Sequence, residues 1–207
     1  MDITIIGTGN MARAIATRAL AGGHAVTLLG TEAAKATALA DELEGAVKTG
    51  QVGDALSDDV VVFAVWYPAV DDVLARYGDQ LDGTVVVDIT NPIDVDAFEP
   101  LRLEAGSAAE EIAAKVPGAK VAKAFNTTFA GTLAEGAVSG EPLDVLVASD
   151  DPQAKEAVTR LATDAGLRAI DAGPLRRARE LEALGYLHMA IQEPLGSNFA
   201  STVKVLT

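Results

Sequence analysis

The residues whose types and spacing first suggest chemistry are Gly7-Thr8-Gly9-Asn10-Met11-Ala12. A short apolar run, Ile3–Ile6, ends at the first glycine, and an Ala-rich stretch of helix length, Asn10–Ala21, follows before Gly22-Gly23. In a strand–turn–helix of this kind Gly7 permits the tight turn, Gly9 lets the backbone approach a pyrophosphate, and Ala12 lets helix and strand pack closely. The first turn of the helix adds N–H donors and a partial positive charge. Gly7, Thr8, Gly9, Asn10 and Met11 are therefore expected to hold a dinucleotide. The plainer alternative is a turn whose small residues serve packing alone.

The other chemical candidates follow the remaining strands, because an open parallel sheet binds ligands beyond the carboxyl ends of its strands. After the second strand stands Leu28-Leu29-Gly30-Thr31-Glu32. NAD-selective sites carry an acid here, whereas NADP sites place Arg or similar nearby. Gly30 is neutral, Thr31 can bond a 2′-hydroxyl or a 2′-phosphate, Glu32 opposes a phosphate, and Lys35 one helical turn on can offset it; NAD and NADP both stay open. Val65-Trp66-Tyr67, Asn91-Pro92 and Phe125-Asn126-Thr127 end later strands and are expected to border the cofactor. Trp66 is either an aromatic wall beside a planar ring or the lid of the core. Asn91 and Asn126 are neutral amides able to fix a nicotinamide carboxamide or an acceptor carbonyl, or else they close turns, a reading that suits Asn91 better.

Acid–base chemistry is poorly supplied. The chain has no Cys and two His, which removes disulfides, thiolate nucleophiles and Cys-based metal sites, and no metal constellation can be assembled. His188 lies on the apolar stripe Leu181, Leu184, His188, Ile191 and reads as packed or interfacial, and His24 as structural. Arg176, Arg177 and Arg179 crowd the start of the last helix, where the macrodipole disfavours cations. Their partner is an anionic group of a substrate or the acids of another helix or subunit.

These residues need a frame to position them. With 207 residues, 49% apolar and 22% charged, the chain has a globular balance. Its formal charge of −14 argues against nucleic acid. No apolar stretch approaches the roughly 20 residues of a membrane helix, so the cytoplasm is the default address. Apolar runs at Ile3–Ile6, Val26–Leu29, Val60–Val65, Val85–Ile89, Val121–Phe125, Leu143–Ala148 and Arg168–Ile170 alternate with helix-length segments, including Glu32–Leu43 and Pro152–Ala165. Continuous rather than alternating apolar strands predict a mostly parallel, doubly wound Rossmann-type α/β sheet covered on both faces. The expected organisation is a domain over residues 1–173 and an extension over 174–207, made of a helix (Arg176–Ile191) and a short strand (Thr202–Leu206). That helix is apolar on almost every side and is the expected homodimer contact.

Taken together, Ile5-Ile6-Gly7-Thr8-Gly9-Asn10-Met11, Asn91-Pro92, Lys123-Ala124-Phe125-Asn126-Thr127 and Asp171-Ala172-Gly173-Pro174-Leu175 resemble the coenzyme F420-dependent NADP oxidoreductase family over nearly the whole chain. The Phe125-Asn126-Thr127 core is also similar to the cytosolic domain of the six-transmembrane ferric reductases. The resemblance implies hydride transfer between NADP(H) and a deazaflavin (coenzyme F420) or flavin-like ring. Thr8, Asn10 and Met11 would then lie at the pyrophosphate, Thr31 at the ribose end, and Asn126 and Thr127 at the transferred hydride. The family's Ser followed by Arg after the second strand is replaced here by Gly30-Thr31-Glu32-Ala33. Two alternatives stand beside this reading. One is an NAD(P)H-dependent reductase of a small C=N or C=O compound, since pyrroline-carboxylate reductases open with a similar turn, although only about thirty-five residues follow Asp171 here. The other is a redox-sensing module that binds the dinucleotide without turnover.

Overall fold

The computed structural model describes residues 1–56 and 58–206. Three four- or five-residue runs, β1 (Asp2–Ile6), β4 (Val60–Phe63) and β5 (Val85–Asp88), are buried almost end to end. Runs apolar on both faces must be covered on both faces, which places them at the centre of a parallel sheet. Flanking them are β2 (Ala25–Gly30) and β3 (Val47–Gln51) on one side, and β6 (Lys120–Lys123), β7 (Asp144–Ser149) and β8 (Arg168–Gly173) on the other. The order across the sheet is β8-β7-β6-β5-β4-β1-β2-β3. The connection reverses between β1 and β4, so the crevice above Ile6 and Phe63, which pair in register, is the switch point of the fold.

Alternate strand residues feed two cores. Ile3, Ile5, Val62 and Val87 pack under α1 (Asn10–Ala21) and α6 (Pro152–Asp164), with α2 (Ala33–Ala40) and α5 (Ala130–Glu135) completing that layer. Ile6, Val61, Phe63 and Val86 pack under α3 (Val70–Tyr77) and α4 (Ala108–Lys115). The last long helix, α7 (Ala178–Ala190), enters through a short 3-10 turn, Leu175–Arg177, and is followed by the single turn α8 (Gln192–Leu195).

The sheet is mostly parallel, as expected, but β7 and β8 run against the rest. They pair with each other in parallel, while β7 meets β6 antiparallel over only two residues, Ala148↔Lys123 and Ser149↔Ala122. The edge strand β3 is absent from the sequence expectation because VKTGQ, largely exposed at the sheet edge, carries no apolar run. The expected strand at Thr202–Leu206 does not form. That segment is held instead by side chains: the Val205 amide donates to Asp144 Oδ2 at 2.8 Å, Lys204 Nζ lies 3.1 Å from Asp144 Oδ1, and Arg168 donates to the Val205 carbonyl. A tail whose backbone groups find side-chain partners needs no ladder.

Candidate functional site

The glycine turn closes on the switch point. Gly7 donates its amide to Leu29 O at 2.9 Å and has φ +132°. A Cβ there would lie 2.1 Å from the Ala64 carbonyl oxygen. Gly7 is thus required by strand-to-loop contact as well as by the turn. Gly9 differs: its φ of −84° suits any residue, and a Cβ would meet nothing within 4 Å. The open space over Gly9 is where a ligand can approach. Gly9 also stands at the N-cap of α1, which has no side-chain cap and no acid in its first turn, leaving the amides of Asn10 and Met11 uncapped by the chain. Those donors, with the positive end of a twelve-residue helix, form an anion cradle.

At the same edge of the sheet, the loops that follow β5 and β6 carry interlocked amides. Asn91 Nδ2 donates to the Asn126 carbonyl at 2.9 Å, and Asn126 Nδ2 donates to Asn91 Oδ1 at 2.9 Å and to Leu181 O at 2.8 Å. The Asn126 side-chain oxygen, in a residue only 6% exposed, has no hydrogen-bond partner among the described residues. An orphan buried acceptor of this kind is costly unless a ligand or water completes it. Gly185 of α7 packs directly on the pair, since a Cβ there would stand 2.8 Å from both Asn126 O and Asn91 Oδ1.

Local backbone strain aims Asn126. Phe125 is buried at φ +60°, a left-handed conformation that costs a bulky residue energy. The turn is pinned by Thr128, whose Oγ1 donates to Phe125 O at 2.8 Å. His188 Nδ1 lies 3.1 Å from Thr127 O, its Nε2 lies 2.9 Å from Ser201 Oγ, and its ring stacks on Phe129 at 4.2 Å. Burial lowers the His188 pKa, and with both ring nitrogens engaged the ring is a strut that fixes the Thr127 backbone. The packed reading of this histidine holds. His24 is likewise tied into the fold, between the N-terminus and Asp164.

Below the amides lies a cluster that the sequence expectations lack. Lys123 Nζ, fully buried at the end of β6, donates to Asp88 Oδ2 at 2.7 Å, Glu182 Oε1 at 2.7 Å and the Thr90 carbonyl. Glu182 Oε1 also accepts from the Ala108 amide at the start of α4, and Asp88 Oδ1 accepts from the Thr90 amide. Two carboxylates and one ammonium share this dry site; burial pushes the Glu182 carboxyl up to about 6 against the pull of Lys123. All three ammonium hydrogens are used, so Lys123 is a fixed strut joining β5, β6, α4 and α7 rather than a free acid. The signal was available: Asp88 and Lys123 are charges ending otherwise apolar, buried strands, where a charge must be paired.

Several expected site residues are placed elsewhere or differently. Trp66 is 75% exposed, so it does not close the core; Val65 is half-buried against the second core. The Tyr67 hydroxyl donates to Glu111 at 2.7 Å, and its pKa is raised by burial and by that carboxylate. Pro92 is buried, and its carbonyl accepts from Leu101. Thr31 is exposed beside Gly30 at the end of β2, with its carbonyl held by Gln51 Nε2 at 3.1 Å. Of the arginines, Arg179 takes both oxygens of Glu110 on α4 at 2.8 and 3.0 Å and Arg177 takes Glu180 three residues on at 3.3 Å, which favours protein carboxylates over a substrate anion for these two. The Asp171 loop faces α6, where Lys155 pairs with Asp171 at 2.9 Å, and its role is to deliver Leu175 into the core.

A family model described as NADP oxidoreductase, coenzyme F420-dependent, matches residues 2–92. The F420-dependent NADP reductase of Methanothermobacter thermautotrophicus is 36% identical over 205 residues, covering 89% of this chain and 86% of that protein. Metalloreductase STEAP3 of Rattus norvegicus is 32% identical over 88% of this chain, but the chain spans only 36% of its length. Among solved structures, a protein of Arthrobacter sp. FB24 superposes with a TM-score of 0.86 at 28% identity, with 99% of both chains covered. With a relative above 30% identical matched along nearly its full length, this chain belongs to the coenzyme F420-dependent NADP oxidoreductase family.

Proposed function

We propose that this chain transfers hydride between the nicotinamide of NADP(H) and a deazaflavin such as coenzyme F420, or a flavin-like ring. The observation that carries the reading is the orphan Asn126 side-chain oxygen at the same edge of the sheet as the uncapped N-terminus of α1. One end of the crevice suits a pyrophosphate and the other a carboxamide, as a dinucleotide laid across a switch point requires. Asn126, with Asn91 locked to it, would hold the carboxamide and so set the plane of the nicotinamide. Thr127 follows it in the same pinned turn, and Thr8, Asn10 and Met11 line the phosphate end.

The surrounding side chains suit a reaction that needs no proton shuttle. Lys123 is saturated by its acceptors, and both His188 ring nitrogens are engaged. When two rings already competent for hydride exchange are bound, the protein's task is to hold them face to face with reacting atoms about 3–3.5 Å apart. The family membership and the NADP-reductase relatives support the same assignment. Incubating the purified chain with NADPH and coenzyme F420, or with flavin mononucleotide, should bleach the ring chromophore in step with nicotinamide oxidation. No turnover with any such ring would defeat the reading.

The reading includes a homodimer through the C-terminal helices, as the exposed Leu187, Ile191, Leu195 and Phe199 form an apolar run that a partner copy would cover.

A further inference from the structure

The adenosine end of the site lies at the tip of β2, and its charges cancel. A Cβ on Gly30 would stand 2.7 Å from the Glu32 carbonyl and 3.0 Å from Thr8 Cγ2, so the tip abuts the glycine turn and has no room for a side chain. The acid that takes a ribose 2′-hydroxyl in NAD-selective sites therefore cannot stand at this position. The next residues, Thr31 and Glu32, are exposed, and Lys35 Nζ lies 2.6 Å from Glu32 Oε1. Arg13 of α1 is held by Glu42 at 2.7 Å.

An exposed pair three residues apart is weak, so Lys35 is free to turn toward a phosphate. Glu32 stays within the same helical turn, however, and a 2′-phosphate would meet one positive and one negative charge. A 2′-hydroxyl loses nothing, because Thr31 and Glu32 both offer it hydrogen bonds. We infer that this chain takes NADH and NADPH with near-equal affinity, and that Glu32 is the residue that withholds a preference for the phosphorylated cofactor. The inference rests on the reading of residues 7–12 as a dinucleotide cradle.

Titrating the full chain with NADPH and with NADH, followed by nicotinamide fluorescence, tests it. In the wild type the two Kd values should agree within about fivefold, the size of one weak surface interaction. Glu32→Gln should tighten NADPH by about tenfold, as expected for an unopposed charge-assisted bond from Lys35, and move NADH by less than about twofold. Lys35→Ala should weaken NADPH and spare NADH. A wild-type preference beyond about tenfold for either nucleotide, or a Glu32→Gln ratio equal to the wild type's, overturns the inference while leaving the cradle intact. Binding of neither nucleotide by the wild type defeats the cradle reading, a distinguishable result.

Discussion

At the residue scale, the two glycines of the turn do separable work. Gly7 is fixed by its φ of +132° and by the Ala64 carbonyl 2.1 Å from a would-be Cβ, so Gly7→Ala should cost more than about 2 kcal/mol of folding stability in a denaturant titration. Gly9→Ala meets no neighbour, so stability should stay within about 1 kcal/mol of wild type while dinucleotide binding, read by the same fluorescence titration, falls about tenfold or more. Asn126→Ala should lower kcat/KM for hydride transfer by about 10- to 100-fold, because the plane of the nicotinamide loses its anchor. The turn was legible in the sequence because glycine spacing between a strand and a helix encodes a backbone shape directly. Asn126 was legible only as a polar residue at a strand end; its orphan oxygen and its lock on Asn91 depend on Phe125 adopting a positive φ, which no local pattern announces.

At the element scale, the architecture follows from the buried strands, whose apolar runs define the parallel centre. The missed features are those in which tertiary contact overrides pattern: β3 is an edge strand without an apolar run, and β7 and β8 reverse direction across a two-residue overlap. The Asp88–Lys123–Glu182 cluster joins β5, β6 and α7, three elements far apart in sequence, and so escapes any reading of local windows. Its asymmetry is testable. Lys123→Met strands two buried carboxylates and should cost about 3 kcal/mol or more, whereas Glu182→Gln leaves a neutral Asp88–Lys123 pair and should match or exceed wild-type stability at pH 7. The sign with pH follows from the raised Glu182 pKa, about 6 against an ordinary 4.5. Between these values the folded state binds more protons than the unfolded one, so wild-type stability from this group falls as pH rises through the window. Any advantage of Glu182→Gln should therefore shrink as pH is lowered from about 6 to about 4.5 in urea melts at stepped pH.

For the whole molecule, the C-terminal tail is stapled to the sheet through Asp144, which binds Arg168, Lys204 and the Val205 amide. Burial alone would raise its pKa, but these partners hold it down to about 2. Its contribution, about 2 kcal/mol, is present above the ordinary value of 3.8 and is lost as pH falls toward 2. Asp144→Asn should thus lower thermal stability at pH 7, with the gap to wild type closing in acid. In sedimentation, the wild type should run as a dimer and Leu187→Glu with Leu195→Glu should run as a monomer. Among the described residues no helix is long and apolar enough to cross a membrane. The central claim, that the crevice above β1 and β4 brings a nicotinamide and a deazaflavin ring face to face, is tested most directly by following a deuterium label. NADPH deuterated at the transferring C4 position should deliver its deuterium to C5 of coenzyme F420, detectable as a mass gain of the reduced ring with no label released to water. Deuterium appearing in solvent, or none reaching the ring while NADPH is consumed, would contradict the account.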